Sequence, residues 1–356
     1  MSDHLKSNLR EIPYNYTSFS DREIVHRFLG ADMWQLLESL SPQRKTGQSH
    51  RMLCEVLGDL WITTRNPVIQ EELLEDNKKL ETFMADSRRR LHAIRERSWG
   101  TPAVATVATL LSRAERALNG LNEDIREFRR LRHDIRELMA QRCPTAHLDF
   151  SIIARVASVT DATDWRVEYP FVVITARKET DLPAVVSICN QLNLTMIPRG
   201  GGTGYTGAGV PLFSRTAVLN MERLNAIGPV IRKELPGSTV TAATIRVEAG
   251  AVTHHVALAA QREGLVFAVD PTSKNASTIG GNIAMNAGGK KAVLWGPTLD
   301  NLVSWTMVTP DGAWMQIERL AHNLGKIHDQ PQARFRILRW LPEQSIHEAR
   351  EEFLSI

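Results

Sequence analysis

Residues 198–212 read PRGGGTGYTGAGVPL, and six of the eleven residues from 199 to 209 are glycine. Glycine has no Cβ, so its backbone can adopt positive φ angles and can approach another group closely. The short apolar run at residues 195–198 predicts a strand that delivers the chain into this loop. Such a composition directly after a strand indicates that the backbone must approach some other group closely.

Three kinds of phosphate site use glycine-rich loops, and the sequence distinguishes among them. A Walker A loop ends in Gly-Lys-Ser/Thr, and residues 199–209 contain no lysine. Gly202, Gly204 and Gly207 match the spacing of a Rossmann fingerprint, but that fingerprint opens a helix, and Pro211 interrupts the chain here. The third kind is a nest, in which successive backbone N–H groups converge on an anion without a helix behind them. The pattern favours a nest, with a Rossmann loop and a purely structural turn as the alternatives.

A second segment of small residues lies at 270–289 and reads DPTSKNASTIGGNIAMNAGG. Glycines, hydroxyl groups and asparagines dominate it. Such a segment is not expected to build a hydrophobic core, but its amides and hydroxyls can wrap a large, flat ligand with polar edges. It therefore supports the nest interpretation of residues 199–209.

The residues around these two segments alternate between strand and helix patterns. Thr180 is expected to cap a helix, and Asp311-Gly312 is typical of the turn of a β-hairpin. A helix is also expected at residues 256–262. The predicted strands lie at residues 171–176, 195–198, 266–268, 303–309 and 313–318, and residues 246–250 are predicted to form a strand and a turn.

The first 150 residues have the pattern of helices. Residues 20–23 have the spacing of a capping box, and apolar residues then form one amphipathic stripe over residues 24–40. Asn66 and Thr101 each stand before a proline, which predicts two further helix starts. A long helix with an outer face of arginine and glutamate is predicted at residues 114–138. Because acidic residues interleave with the arginines, the pattern favours intrahelical ion pairs over a nucleic-acid surface.

Composition excludes several classes of protein. Among 356 residues, 43 are Lys or Arg and 40 are Asp or Glu, and the net charge of +3 gives no reason to expect a nucleic-acid binder. The first residues lack the apolar core of a signal peptide, and no apolar run is long enough to span a membrane. Cys54, Cys143 and Cys189 lie far apart, which favours reduced thiols and supplies no iron–sulfur or zinc ligand set.

Residues 198–212 and 270–289, joined by VEAGAV (247–252) and followed by Gly296 and Asp300, strongly resemble the FAD-binding domain of the vanillyl-alcohol oxidase/PCMH-type flavoprotein superfamily. Within it, the sequence is most similar to the FAD-linked D-2-hydroxy-acid dehydrogenases, the D-lactate and glycolate oxidase type. The N-terminal residues resemble the helical extension of a bacterial subgroup of large FAD and iron–sulfur oxidoreductases.

The resemblance implies an α+β fold in three parts. A helical N-terminal extension (1–150) would precede a C-terminally incomplete PCMH-type FAD-binding domain of two α/β subdomains (151–325), and a charged, partly helical tail would cover residues 326–356. The implied cofactor is FAD, bound without a covalent link, since Tyr205 and Thr206 occupy the loop tip where some flavin-linked relatives use a histidine or cysteine nearby. His254 and His255 are the nearest histidines along the chain, and we interpret them as helix or turn residues.

In this family the backbone amides of residues 199–207 would hold the FAD diphosphate, and residues 271–289 would line the ribityl chain and the isoalloxazine. We also expect a positive φ at Gly204, so that Gly204→Val would remove flavin binding. The resemblance identifies no catalytic residue and no metal ligand in this chain. The implied cofactor-binding residues are Arg199, Gly200, Gly201, Gly202, Thr203, Gly204, Tyr205, Thr206, Gly207, Pro271, Thr272, Ser273, Thr278, Gly280, Gly281, Asn286, Gly288 and Gly289.

The implied function is that of a flavin-dependent oxidoreductase, which oxidises a 2-hydroxy acid and passes electrons to a downstream acceptor. The substrate domain and iron–sulfur modules of the larger relatives have no counterpart in the sequence, so we expect the chain to be the N-terminal part of a longer enzyme. The alternatives are a non-catalytic FAD-binding or assembly module, an inactive fragment, and a nucleotide-binding protein of another class.

The expected partners are FAD, a small hydroxy acid in the complete enzyme, and an electron acceptor that the sequence does not identify. A protein partner docking on the helical region is a further expectation, whereas nucleic acid is not expected. The expected location is the cytoplasm, with peripheral attachment at the inner face of the membrane as the alternative.

Overall fold

The structure is a computed structural model that describes residues 19–42, 44–163, 165–342 and 348–355. These residues form two compact units, one within residues 19–134 and the other within residues 135–355. The predicted fold class is confirmed, because helices make up the first unit and helices combine with strands in the second.

The first unit consists of helices because apolar residues recur every three or four positions along it. Their apolar faces enclose a core in which Leu57, Leu60, Leu110 and Leu111 have no exposed surface. Truncating one such side chain to alanine costs about 2–5 kcal/mol. The helices are α1 (Asp21–Leu29), α2 (Met33–Glu38), α3 (Arg44–Arg65), α4 (Pro67–Glu75), α5 (Asn77–Ser98) and α6 (Val104–Arg142), whose last residues extend beyond this unit.

The predicted capping box is confirmed at the start of α1. The Ser20 hydroxyl accepts the Glu23 N–H at 3.3 Å, and the Glu23 carboxylate accepts the Ser20 N–H at 3.1 Å. The single stripe predicted for residues 24–40 is wrong, because Gly30 has a φ of +105° and ends α1 before α2 begins.

The two proline signals have different outcomes. Asn66 Oδ1 accepts the Val68 N–H at 2.9 Å, which confirms the predicted cap of α4. The start of α6 is later than the sequence predicts. The Thr101 hydroxyl donates to the Ser98 carbonyl at 2.7 Å instead of capping a helix, and α6 begins at Val104.

Several arginines of this unit connect different helices. Arg90 of α5 donates to Asp59 of α3 at 2.7 Å. Arg132 of α6 forms a bidentate pair with Glu71 of α4, with both bonds at 2.6 Å. The expected intrahelical pairing is present for Arg90 and Asp86, but these longer-range bonds also hold the helices together.

The second unit begins with a four-stranded sheet in the order β1-β2-β4-β3. Strands β2, β3 and β4 are parallel, which confirms the predicted βαβ unit, and β1 is antiparallel to β2. The carboxyl ends of the parallel strands therefore lie at one edge. The elements are β1 (His147–Asp149), α7 (Ile152–Ala157), β2 (Val172–Thr175), α8 (Leu182–Gln191), β3 (Thr195–Arg199) and β4 (Thr216–Asn220).

The start of α8 differs from the sequence prediction. A 3-10 turn over Glu179–Asp181 precedes the helix, which begins at Leu182 without a side-chain cap. Thr180 therefore lies within the turn instead of capping α8, and the proline at position 183 supports the helix start.

A hairpin and three helices follow β4. The hairpin consists of β5 (Ile227–Glu234) and β6 (Thr241–Val247), and the helices are α9 (Thr253–Arg262), α10 (Ile279–Ala284) and α11 (Ala292–Trp295). The strand predicted at residues 266–268 is wrong, since that stretch has no regular structure. A short apolar run becomes a strand only when a neighbouring strand pairs with it, and none does so here.

A second sheet has the order β10-β9-β8-β7 and is antiparallel throughout. Its strands are β7 (Ser304–Val308), β8 (Trp314–Leu320), β9 (Gln332–Trp340) and β10 (Glu348–Ser355). The predicted Asp311-Gly312 hairpin is confirmed, with a φ of +85° at Gly312.

The partly helical tail expected at residues 326–356 is wrong over its described residues. Apart from a 3-10 turn at Ile327–Asp329, they are mainly the strands β9 and β10. Charged and apolar residues alternate along β9, and Arg336 lies beside Glu318 at 3.5 Å and Glu351 at 3.7 Å. This alternation with cross-strand ion pairs stabilises a strand.

Two further expectations concern boundaries and membranes. The compact units divide at residue 134, whereas the boundaries at residues 150 and 325 stay predictions. Among the described residues, no helix is both long and apolar enough to cross a membrane.

Candidate functional site

The glycine loop, residues 199–209, leaves β3 at the edge where the parallel strands end. The next element after the loop is β4, so the loop lacks the helix that a Rossmann fingerprint would open, and the alternative of a Rossmann loop is wrong. Ligands of open α/β sheets bind outside the carboxyl ends of the strands. The loop therefore stands where this architecture places ligands.

The backbone N–H groups of the loop are available as donors. Within the described part of the chain, none of the N–H groups from Gly200 to Gly207 donates a hydrogen bond to a protein group. At the two ends of this run, the Arg199 carbonyl accepts from Met221 at 3.0 Å and the Gly207 carbonyl accepts from Val210 at 3.1 Å. A run of unpaired donors between fixed ends is the arrangement that an anion-binding nest requires.

Arg199 closes the loop with its side chain. Its guanidinium donates to the Gly209 carbonyl at 3.1 Å and to the Thr160 carbonyl at 2.7 Å. Burial lowers the pKa of Arg199, and the charge of Asp161 opposes this effect. The guanidinium thus joins the two ends of the loop, and its predicted role in cofactor binding stays a prediction.

Only some of the loop glycines have the positive φ that favours glycine. Gly202 has a φ of +63° and Gly207 a φ of +73°. A Cβ on Gly207 would lie 2.9 Å from the Trp165 ring. The positive φ expected at Gly204 is wrong, and no atom would lie within 4 Å of a Cβ there.

The glycine loop contacts the second predicted segment directly. A Cβ on Gly200 would collide with the hydroxyl of Thr278, and a Cβ on Gly201 would collide with the carbonyl oxygen of Ala276. The structure therefore brings the two sequence motifs together. Glycine is required at these two positions because a side chain would not fit. Neither glycine has a positive φ, so the backbone conformation alone would allow other residues.

Buried hydrogen bonds hold the second segment in place. The Thr253 hydroxyl bonds the Ser277 carbonyl and hydroxyl, both at 2.9 Å, and accepts from the Asn282 amide at 2.7 Å. The segment also contains the short helix α10, and Ile279 is 8% exposed. The expectation that it would contribute nothing to a core is therefore wrong, because hydrogen-bonded polar side chains are buried together with Ile279.

Thr278 is an exception within this network. The residue is only 6% exposed, and its buried side-chain oxygen has no hydrogen-bond partner among the described residues. A buried hydroxyl without a partner costs about 1–3 kcal/mol. An unpaired hydroxyl beside a run of unpaired amides fits a ligand that accepts hydrogen bonds, such as the diphosphate of FAD.

Other predicted residues of this segment already have protein partners. The Ser273 carbonyl accepts the N–H groups of Ala276 and Ser277, both at 2.8 Å. Asn286 Oδ1 accepts the Leu299 N–H at 2.9 Å. For Pro271, Thr272, Gly280, Gly281, Gly288 and Gly289, as for Thr203, Tyr205 and Thr206 of the glycine loop, contact with a cofactor stays a prediction.

A buried polar cluster, which the sequence does not predict, connects the end of this segment to the turn after β8. Arg319 is 1% exposed, and its guanidinium donates to the Asp300 carbonyl at 3.5 Å and to Asn323 at 2.8 Å. The Asp300 carboxylate accepts the Ile327 N–H at 2.7 Å. Burial lowers the pKa of Arg319, and Asp300 partly offsets this effect. An arginine within a strand pattern carries no sequence signal that it will be buried.

His322 completes this cluster as a neutral imidazole. Its Nδ1 accepts the Leu324 N–H at 2.9 Å, and its Nε2 lies 3.3 Å from a guanidinium nitrogen of Arg319. Burial, reinforced by the charge of Arg319, lowers the pKa of His322 to about 4.

The two histidines nearest to the motifs along the chain lie together in one helix. His254 and His255 lie in α9 as expected, with ring centroids 6.4 Å apart. Over the residues that the structure describes, no group of three His, Cys, Asp or Glu side chains could hold a metal ion.

Two family models match separate parts of the chain. Residues 170–318 match the family described as FAD binding domain. Residues 7–123 match a family described as a protein of unknown function (DUF3683).

Curated relatives match the second half. The chain is 29% identical over 179 residues to the glycolate oxidase subunit GlcD of Bacillus subtilis, covering 50% of this chain and 36% of that protein. It is 30% identical over 143 residues to the D-lactate dehydrogenase of Anaerostipes hadrus, covering 40% and 28%. It is 32% identical over 157 residues to the D-2-hydroxyglutarate dehydrogenase of Xanthomonas citri pv. viticola, covering 43% and 31%. The chain thus spans about a third of the length of these relatives.

The family match and the geometry concern the same residues. The glycine loop and the residues of the second segment that contact it lie within residues 170–318, and the relatives are named for the oxidation of hydroxy acids. Residues 170–318 of this chain therefore match the PCMH-type FAD binding domain family over the stretch that contains both motifs.

Proposed function

We propose that this chain binds FAD without a covalent link and that the glycine loop holds the diphosphate. The observation that carries the proposal is the run of unpaired N–H groups from Gly200 to Gly207, next to the unpaired hydroxyl of Thr278. A hydrogen bond to a charged phosphate contributes about 1.5–3 kcal/mol. Several such bonds from a loop that is already fixed at both ends would hold the cofactor firmly.

The other residues of the site position these donors. Arg199 keeps the loop closed, and the bonds of Thr253 keep the second segment against it. That segment would line the ribityl chain and the ring system. When bound, FAD supplies a two-electron acceptor for a C–H bond, while the protein sets orientation and electrostatics.

The proposed reaction is the oxidation of the alcohol carbon of a 2-hydroxy acid. The substrate class comes from the relatives, which are named for glycolate, D-lactate and D-2-hydroxyglutarate. Bound FAD would supply the acceptor for the hydride of this carbon, the hydroxyl proton would leave to solvent, and the two electrons would then pass to a separate acceptor. Binding of the hydroxy acid is not assigned to residues of this chain.

The proposed location is the cytoplasm, on the basis of the thiols. Cys54, Cys143 and Cys189 are all free. Burial raises the pKa of Cys54 and Cys189 to about 12 and that of Cys143 to about 11, which disfavours the reactive thiolate.

We further propose that the helical unit offers its surface to a protein partner.

The visible absorption spectrum of the purified chain tests the cofactor. We expect a flavin spectrum, about one FAD released per chain by denaturant, and perturbed ³¹P resonances of the bound diphosphate. A colourless chain that takes up no added FAD would contradict the proposal. A chain that binds FAD but does not reduce it with D-lactate, glycolate or D-2-hydroxyglutarate would support FAD binding and contradict the catalytic part.

A further inference from the structure

A cavity lies beside the start of β1, at the edge of the first sheet where the parallel strands end. It has a volume of about 450 Å³ and is lined by Pro144, Thr145, Ala146, His147, Arg177 and Lys178. We propose that this cavity, named here the basic cavity, binds a small phosphate-bearing anion at a site that shares no residue with the flavin site. The inference goes beyond the proposed function and does not depend on it.

The topology of the first sheet brings the basic side chains together. His147 is the first residue of β1 and pairs with Thr175, the last residue of β2. The chain then continues from Thr175 into Arg177 and Lys178. Because β1 and β2 are antiparallel, the start of one strand and the end of the other meet at the same edge, although the residues are far apart in sequence.

The two cations of the basic cavity are not neutralised by the protein. Within the described ranges, the side chains of Arg177 and Lys178 form no ion pair and no hydrogen bond. The neighbouring carboxylates have other partners. Asp181 accepts the Thr145 hydroxyl, and Glu179 pairs with Arg246 at 3.4 Å.

The start of α8 adds to this positive potential. The bond between Thr145 and Asp181 places the residue before α8 at the wall of the basic cavity. α8 has ten residues, and the N-terminal end of a helix carries a partial positive charge. Asp181 also lies at this wall, and its charge partly offsets that effect.

The chemistry of the lining favours phosphate over an apolar or cationic ligand. Arginine presents a planar fork of donors that fits phosphate oxygens, and lysine adds a compact charge. The imidazole of His147 and the hydroxyl of Thr145 supply further polar groups, while Pro144 and Ala146 provide only small apolar walls. The volume lies within the usual range for small-molecule sites, which is roughly 300–1,000 Å³.

The basic cavity and the glycine loop lie at the same edge of the first sheet but follow different strands. β2 and β3 are not neighbours, since β4 lies between them. Two strand spacings correspond to about 10 Å. An anion bound by Arg177 and Lys178 would therefore leave the amides of the glycine loop free.

Isothermal titration with inorganic phosphate tests the proposal. We expect millimolar or tighter binding by the whole chain, weakened about tenfold or more in the double variant Arg177→Gln/Lys178→Gln. The matched control is Arg232→Gln/Lys233→Gln, which removes an equivalent pair of exposed charges from β5 and should leave the affinity unchanged. Circular dichroism confirms that both variants fold.

Two results would overturn the proposal. One is equal phosphate binding by the two double variants, or none by the unmodified chain. The other is loss of phosphate binding when FAD is added, because competition would place the phosphate in the flavin site. Unchanged phosphate affinity in the presence of FAD supports two separate sites.

Discussion

The hydroxyl of Thr278 occupies the position that a Cβ on Gly200 would need. One residue belongs to the glycine loop and the other to the segment at 270–289, so this contact is where the two motifs meet. The absence of a side chain on Gly200 makes room for this hydroxyl, which has no hydrogen-bond partner among the described residues. The pair thus links the packing of the site to an unsatisfied polar atom that a ligand can satisfy.

The first prediction concerns this hydroxyl. Thr278→Val replaces it with a methyl group of similar size, and no protein hydrogen bond is lost. We expect the free energy of unfolding of the FAD-free chain to stay the same or to rise by about 1 kcal/mol, since a buried unpaired group is removed. FAD affinity should fall about two- to tenfold, measured by titration of flavin fluorescence.

Thr253→Val is the matched comparison. Its hydroxyl bonds Ser277 and Asn282 inside the protein, so its loss should lower the free energy of unfolding by about 1–3 kcal/mol. If Thr278→Val destabilised the FAD-free chain as much as Thr253→Val, the hydroxyl of Thr278 would have a partner within the protein and the ligand argument would fail.

The second prediction separates two glycines of the loop. Gly201→Ala would place a Cβ against the Ala276 carbonyl, 2.9 Å from its carbon, so the two segments must move apart. We expect a loss of about 1–3 kcal/mol in the free energy of unfolding and at least a tenfold loss of FAD affinity. Gly204→Ala meets no atom within 4 Å and should leave the free energy of unfolding within about 0.5 kcal/mol. Differential scanning fluorimetry and FAD titration measure both effects, and equal behaviour of the two variants would contradict the observed packing.

The sequence predicts the flavin-binding fold and both motifs, because the residues that make up each glycine-rich motif lie within one short stretch of chain. The sequence also predicts the caps at Ser20 and Asn66 and the Asp311-Gly312 turn, because each depends only on residues that are neighbours in sequence. The sequence does not predict the contact between Gly200 and Thr278, because that distance depends on tertiary packing. The expected positive φ at Gly204 belongs instead to Gly202 and Gly207, and a G-x-G-x-x-G spacing does not state which glycine makes the turn.

Longer-range pairing explains the remaining differences. β9 has a charged sequence that suggests a solvated tail, yet Arg336 finds Glu318 and Glu351 on the neighbouring strands. Likewise, the buried guanidinium of Arg319 bonds the carbonyl of Asp300, which lies 19 residues earlier in the chain, as well as the nearby Asn323. Neither partner set can be identified from a local pattern.

The third prediction concerns the helical unit. Arg132 and Glu71 form a bidentate pair in which the side chains are only 7% and 14% exposed. Arg132→Met leaves the carboxylate buried without this partner, so we expect the free energy of unfolding of this unit to fall by about 3 kcal/mol. Urea denaturation followed by circular dichroism measures the loss. FAD binding by the other unit should persist at low urea, and its simultaneous loss would contradict independent folding of the two units.

The last prediction is a pH dependence of stability that depends on His322. The pKa of His322 is about 4 in the folded chain, lowered from 6.5 by burial and by Arg319. Above pH 6.5 the imidazole is neutral in both the folded and unfolded chains, so the titration of His322 takes nothing from the free energy of unfolding. Between pH 6.5 and 4 the unfolded chain binds a proton that the folded chain does not, and stability falls by roughly 3 kcal/mol in total. Below pH 4 this contribution levels off.

His322→Asn isolates this contribution from the titration of the carboxylates. The amide oxygen can still accept the Leu324 N–H, but the side chain binds no proton in this range. Urea titrations at several pH values should therefore show a flatter fall in the free energy of unfolding between pH 6.5 and 4 for His322→Asn than for the unmodified chain. His328→Asn, which replaces an exposed imidazole in the next turn, should keep the original slope. Identical slopes for all three proteins would mean that His322 is accessible to protons in the folded state, and that the Asp300–Arg319–His322 cluster is open to water.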